Sequence, residues 1–130
     1  MYFPRLKINT EKISHNARII NDRCAIGGIS VVGVTKSVLA HKTITKCLKK
    51  AGINIFADSR LSNVKRLRDY LGDPGKIMML RTPMQGDIED LINTCRTSIN
   101  TQIRTVELLS EACNKYEMNH DIIIMLETDD

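Results

Sequence analysis

No stretch of this sequence is apolar for long enough to span a bilayer. Its first residues, Met1-Tyr2-Phe3-Pro4-Arg5-Leu6-Lys7, lack the apolar core of a signal peptide. A cytoplasmic protein with no membrane partner is therefore expected. Aromatic residues are scarce, at 4%, and none studs a basic stripe. The net charge is +4, but basic and acidic residues are interleaved, so no nucleic acid is expected as a partner. The four cysteines, Cys24, Cys47, Cys95 and Cys113, form no C-x-x-C pair. Metal-ligand spacing is thus missing and no metal site is expected. The thiols read instead as reduced residues on apolar helix faces. Linkers and low-complexity segments are absent too. What remains is 130 residues, 42% apolar and 26% charged, an ordinary globular mixture of single-domain size.

Strand-like runs recur near Arg5, Ser30, Ile53, Lys76, Thr97 and Asp121, each followed by a helical pattern or by the end of the chain. Arg5 and Lys7 alternate with Leu6 and Ile8, which predicts a first strand over residues 5–8. Later strands are predicted over 30–34, 53–56, 76–80, 97–99 and 121–126. Between them, apolar stripes at helical spacing predict five helices. The stripes include Ile13, Ala17, Ile20 and Cys24, then Ile44, Cys47, Leu48 and Ala51, then Leu61, Val64, Leu67 and Leu71. Ile88, Leu91, Ile92 and Cys95, and then Ile103, Val106, Leu109, Cys113 and Tyr116, supply the last two. Asn9 or Thr10, Thr43, Ser59, Asp87 and Thr101 are the candidate caps.

Alternation of this kind argues for a parallel sheet with helices packed outside it. A doubly wound sheet normally carries a glycine-rich phosphate loop after its first strand. Ile8-Asn9-Thr10-Glu11 has no glycine, which favours a barrel. The expected fold class is therefore α/β, the N-terminal part of a (β/α)8 TIM-type barrel with about six parallel units. Residues 1–130 would form one partial barrel domain, since a full barrel needs eight strands and about 250 residues.

The central stretch is Ser30-Val31-Val32-Gly33-Val34-Thr35-Lys36. Its valines suit a strand buried on both faces of a parallel sheet. Apolar surroundings would disfavour the charged form of the Lys36 amine and make it a better nucleophile, able to form Schiff bases with carbonyl compounds. Equally, Lys36 marks where the strand reaches water. Asp58 and Ser59, Arg81, Asn100 and Glu127 occupy the same place after successive strands. In a parallel barrel those places share the face on which active sites are built. Ser59 also reads as a helix cap and Asn100 as a turn residue. Lys36 and Arg81 have no capping duty at a helix N-terminus.

The residues Val32-Gly33-Val34-Thr35-Lys36, Ala51-Gly52-Ile53 and Phe56-Ala57-Asp58-Ser59-Arg60 resemble the N-terminal barrel of the alanine racemase superfamily, above all its ornithine-racemase-like branch. Tyr2 to Asn9, Lys12 to Ala17, Leu80 to Met84 and Ser98 to Thr101 fit the same pattern in the same order. The resemblance implies a pyridoxal phosphate enzyme acting on a small amino-acid substrate. Lys36 matches the lysine that carries the cofactor as an internal aldimine and serves as one of two catalytic bases. Lys36, Ser59, Arg81 and Asn100 are the expected cofactor-binding residues.

The resemblance also implies parts not seen in this sequence: a glycine-containing loop with an arginine after the sixth strand, the main phosphate loop, and a second base from a C-terminal β-domain of the partner subunit. The expectation is of an N-terminal fragment, inactive by itself, with open sheet edges that favour a homodimer or larger homo-oligomer. An alternative family resembled is the single-domain barrel that binds pyridoxal phosphate and manages its supply. Phe56-Ala57-Asp58-Ser59-Arg60 departs from that family's Phe-Gly-Glu-Asn-Arg at Ala57 and Ser59. Nothing positive supports a third class, a non-enzymatic interaction module.

Overall fold

The computed structural model describes residues 3–128; Tyr2 of the opening motif and the terminal Asp129-Asp130 lie outside them. Asn9 caps the first element, helix α1 (Thr10–Ile26), by accepting a hydrogen bond from the Lys12 N–H at 2.9 Å. There follow β1 (Val32–Val34), α2 (Lys42–Lys50), β2 (Ile55–Asp58), α3 (Leu61–Leu71) and β3 (Ile77–Met79). Then come α4 (Ile88–Ile92), β4 (Thr97–Asn100), α5 (Ile103–Lys115) and β5 (Asp121–Ile124). Among the described residues no helix is long and apolar enough to cross a membrane.

The five strands form one parallel sheet in the order β1-β2-β3-β4-β5. Each new strand joins the edge that the previous one left open. Right-handed crossovers that always advance in one direction place every helix on the same face. A doubly wound sheet would need a reversal of strand order. The sequential order is the arrangement of a barrel wall, as the sequence predicts.

The register divides the side chains cleanly. Gly33, Phe56 and Ile77 lie in one row, and Asp58, Met79, Ser98 and Ile122 in the next, all facing the helices. Phe56, Val64, Leu67, Ile77, Leu91 and Cys95 fill the layer between sheet and helices. Burial pushes the Cys95 thiol up to about 12, against opposing backbone contacts from Thr97 and Met79. All four cysteines are free thiols, two buried and two half-buried.

Three expectations need correction. Residues 5–8 form no strand: Leu6 is 88% exposed, and the sheet begins at β1. Alternation reports only a preference for extended backbone. A ladder also needs a partner edge, and among the described residues β1 pairs with β2 alone. The sheet of the described residues therefore has five strands rather than six. Second, β1 is not buried on both faces. Val34 is 45% exposed, and Ile123 on the same face 42%, because the helices cover only one side. Third, β2 lies two residues later than predicted, so Asp58 is its last residue instead of a loop residue.

Gly33 makes the β1–β2 contact possible. A Cβ there would meet the Phe56 ring at 3.1 Å and Ile53 Cγ2 at 3.2 Å. Gly33→Ala should therefore destabilise the protein by about 1–3 kcal/mol through overpacking. A lower midpoint in urea unfolding checks this, and adding Phe56→Leu should return part of the loss.

Candidate functional site

Because all strands run the same way, their C-terminal ends share one edge. The chain leaves β1 into Thr35-Lys36, β2 into Ser59, β3 into Leu80-Arg81 and β4 into Thr101. Lys36, Ser59, Arg81 and Asn100 thus all lie at this edge. Their side chains are not all brought together.

Lys36 opens a 3-10 turn, Lys36–Val38. The residue before it, Thr35, is fully buried. Its N–H donates to the Ala57 carbonyl at 3.0 Å, and its hydroxyl donates to Asp58 Oδ2 at 2.8 Å. The Thr35 carbonyl accepts from the N–H groups of Val38, at 3.0 Å, and Ala40, at 3.2 Å. Leu39 and Ala40 both adopt the left-handed region, with φ of 51° and 52°. That conformation costs roughly 1–2 kcal/mol per non-glycine residue. It persists because Ala40 is wholly buried and Arg66 Nη1 donates to the Leu39 carbonyl at 3.1 Å. Lys36 itself is exposed. Among the described residues it enters no salt bridge. The apolar enclosure expected around its amine is therefore missing here.

Asp58 is the residue whose role the sequence did not disclose. It is fully buried. Oδ1 accepts from the Arg60 N–H at 3.1 Å and from Asn63 Nδ2 at 3.0 Å, while Oδ2 accepts from Thr35. All three contacts use the carboxyl oxygens as acceptors, the behaviour of a carboxylate. Ser59 is consequently not the cap of α3. The cap position falls on Arg60, with no side-chain bond of its own, and Asp58 satisfies the Arg60 N–H. The Asp-x-Arg spacing is the signal that could have shown this, as an Asx-type turn. Thr43 and Thr101 are likewise displaced as caps by His41 and Gln102. Thr101 instead donates its N–H to Thr82 Oγ1 at 3.1 Å, tying the exits of β3 and β4.

Freed from capping, Ser59 lines a cleft of about 320 Å³ with Arg60, Ser62, Arg81 and Asp87. Leu61, Met79 and Met84 complete its wall. With two arginines against one aspartate, the residues around the cleft carry a net positive charge that favours an anionic group. Neither Lys36 nor Asn100 lines it.

Asn100 is fully buried, and its amide turns back along β4. Nδ2 donates to the Ser98 carbonyl at 3.1 Å and to Ser98 Oγ at 3.0 Å, and among the described residues Oδ1 has no partner. Ser98 Oγ in turn lies 2.8 Å from His120 Nε2. Burial holds His120 below the ordinary histidine range, opposed by the Cys95 backbone and Asp121. No atom meets hydrogen-bond geometry at its Nδ1. This chain of polar side chains supports β4 from the helix side.

Residues 8–130 match the family model described as alanine racemase, N-terminal domain. The sequence is 34% identical over 128 residues to an ornithine racemase of Acetoanaerobium sticklandii, covering 98% of this chain and 35% of that protein. It is 32% identical over 130 residues to a lysine racemase of Thermotoga maritima, covering 100% of this chain and 36% of that protein. The chain thus spans about a third of the length of these curated relatives. In solved structures its fold matches a D-threonine aldolase from Filomicrobium marinum with a TM-score of 0.79 at 16% identity, over 95% of this chain and 34% of the other. It also matches an alanine racemase from E. faecalis with a TM-score of 0.67 at 21% identity, over 80% and 28%.

The buried imidazole gives a pH prediction. With its folded pKa below the unfolded value near 6.5, His120 binds its proton more readily in the unfolded chain. Its contribution should be fully present above that value and be lost as pH falls through it towards the lower folded pKa. Urea midpoints measured from about pH 7.5 down to about pH 5.5 should drop less for His120→Gln than for the unsubstituted protein.

Proposed function

This chain belongs to the alanine racemase N-terminal-domain family, and on that premise we propose that it forms part of a pyridoxal-phosphate-dependent amino-acid racemase, an isomerase. Lys36 is the residue that holds the cofactor and moves the Cα proton on one face of the substrate. The observation that carries this reading is the Lys36 turn: an exposed amine that follows directly on the buried, hydrogen-bonded Thr35. Such an amine, once deprotonated, can condense with an aldehyde and release water. When bound, the cofactor's ring takes up the electron pair left at Cα.

The residues present fit that group. Arg81 and Ser59, which share the cleft, offer donors to its anionic groups. Asn100, with its amide turned inward, supports the edge from behind rather than reaching the cleft. Two relatives carry the names ornithine and lysine racemase, so basic amino acids are the first substrates to test. Those names favour a racemase over a barrel that only binds the cofactor.

Racemisation needs a base on each face of Cα, and five strands do not close an eight-stranded barrel. By themselves these residues are therefore expected to be inactive. The half-open face around Val34 and Ile123 and the exposed Ile122 and Ile124 favour a homodimer or larger assembly. Four free thiols suit a cytoplasmic setting.

Borohydride reduction of the full-length protein with pyridoxal phosphate, followed by peptide mass mapping, should place the pyridoxyl label on Lys36. A label on another lysine, with Lys36 bare, would overturn the assignment. Lys36→Ala should abolish both label and racemisation. Arg81→Ala should weaken cofactor binding by about tenfold or more, the scale of one lost charge-assisted contact, as read by cofactor titration.

A further inference from the structure

We propose that Asp58 is a positioning residue for Lys36, acting through Thr35. This rests on the reading of Lys36 as the residue that holds the cofactor. Three observations carry it.

The first is connectivity. Asp58 closes β2, yet its carboxylate joins the end of β1 to the start of α3 through Thr35, Arg60 and Asn63. The Lys36 turn is held on its other side by α3 as well, through Arg66 on the Leu39 carbonyl. One helix thus grips the lysine turn before and after the lysine. Moving α3 relative to β1 would move Lys36.

The second is chemistry. Asp58 and Asn63 are both buried, and among the described residues Asp58 has no salt-bridge partner. A buried carboxylate without a cation is a costly way to stabilise a core, because apolar or amide groups of similar size avoid the desolvation. Its three short bonds fix a direction that such groups would not. The hydroxyl it orients belongs to the residue preceding Lys36.

The third is strain. Two successive left-handed residues follow the turn. Such a conformation survives only where the surroundings over-determine it. Thr35 shares in that constraint with the burial of Ala40 and the Arg66 bond, since its carbonyl receives both Val38 and Ala40. A loosened Thr35 would let the turn relax and spread the positions of the Lys36 amine.

The test uses the full-length protein, pyridoxal phosphate as the probe, and Thr35→Val, Thr35→Ser and Asp58→Asn. Thr35→Val keeps the side-chain volume and deletes the hydroxyl; Thr35→Ser keeps the hydroxyl. Three quantities are read: the dissociation constant, the label trapped on Lys36, and the induced circular dichroism per trapped cofactor. The last reports a fixed orientation, which a role in stability alone would leave unchanged. Asp90→Asn, which removes the exposed Lys65–Asp90 ion pair, is the control. Folded Thr35→Val should bind about tenfold more weakly, the scale of one lost bond to a carboxylate. It should also lose at least about half of the induced signal per trapped cofactor, the share expected when orientation spreads. Thr35→Ser should stay within about threefold of the parent in affinity and keep the signal. Asp58→Asn should follow Thr35→Val; should it fail to fold, Thr35→Val decides. Parent-like affinity and induced signal in folded Thr35→Val would overturn the positioning role while leaving Lys36 as the labelled residue. An unlabelled Lys36 in the unsubstituted protein would instead overturn the functional reading on which the role depends.

Discussion

The carboxylate of Asp58 is the junction on which the C-terminal edge of this sheet depends. Strands β1 and β2 are joined by ladder bonds, and α3 is joined to the sheet by apolar packing. Neither interaction fixes the loops between them. Asp58 does, because it receives a hydroxyl from one loop, a backbone N–H from the next and an amide from the first turn of α3. A donor count that leaves no carboxyl oxygen unused makes its burial tolerable. The lysine turn inherits this order without Lys36 being buried: Lys36 is exposed, while Thr35, which the carboxylate holds, is fully buried.

The second constraint is the one-way growth of the sheet. With helices confined to one face, the residues of each strand separate into two populations. Phe56, Ile77 and Met79 are sealed under the helices. Val34 and Ile123 keep an apolar surface half in contact with water. Apolar side chains left partly in water on that face favour further burial, either by more sheet or by another chain. The surface edge ion pairs, such as Arg96–Asp121 at 3.2 Å, contribute little against it, since both partners are exposed.

Fold and reaction separate clearly here. Solved enzymes named as an aldolase and a racemase share this architecture. The order of strands therefore does not select a reaction. What the architecture does supply is a row of loops at one edge, and chemistry is set by which side chains stand on them. The lysine turn and the arginine cleft are separate features of that row, yet the Asp58 carboxylate bonds Thr35 of the first and the Arg60 N–H of the second.

How much of this was legible in the sequence follows from the range of each interaction. Helix stripes such as Ile88, Leu91 and Ile92 were legible because burial repeats with the helical period. The observed strands other than β4, whose Thr97–Asn100 holds a single apolar residue, were legible as apolar runs, and their common polarity followed from the helices between them. Residues 5–8 misled because alternation is a property of the segment, whereas a strand is a property of a pair. Ser59 misled because a cap is recognised by residue type, whereas α3 begins one residue later, with Arg60 at the cap position and its N–H taken by Asp58. Asn100 was placed at the right edge, but its amide turned inward because Ser98, two residues back on the same face, offered both a carbonyl and a hydroxyl. Position along the chain thus located the C-terminal edge of the sheet, and the direction of each side chain was decided by its hydrogen-bond partners, from the same strand for Asn100 and from a neighbouring loop for Asp58. Those partners follow no period, so at most a local spacing such as Asp-x-Arg announces them.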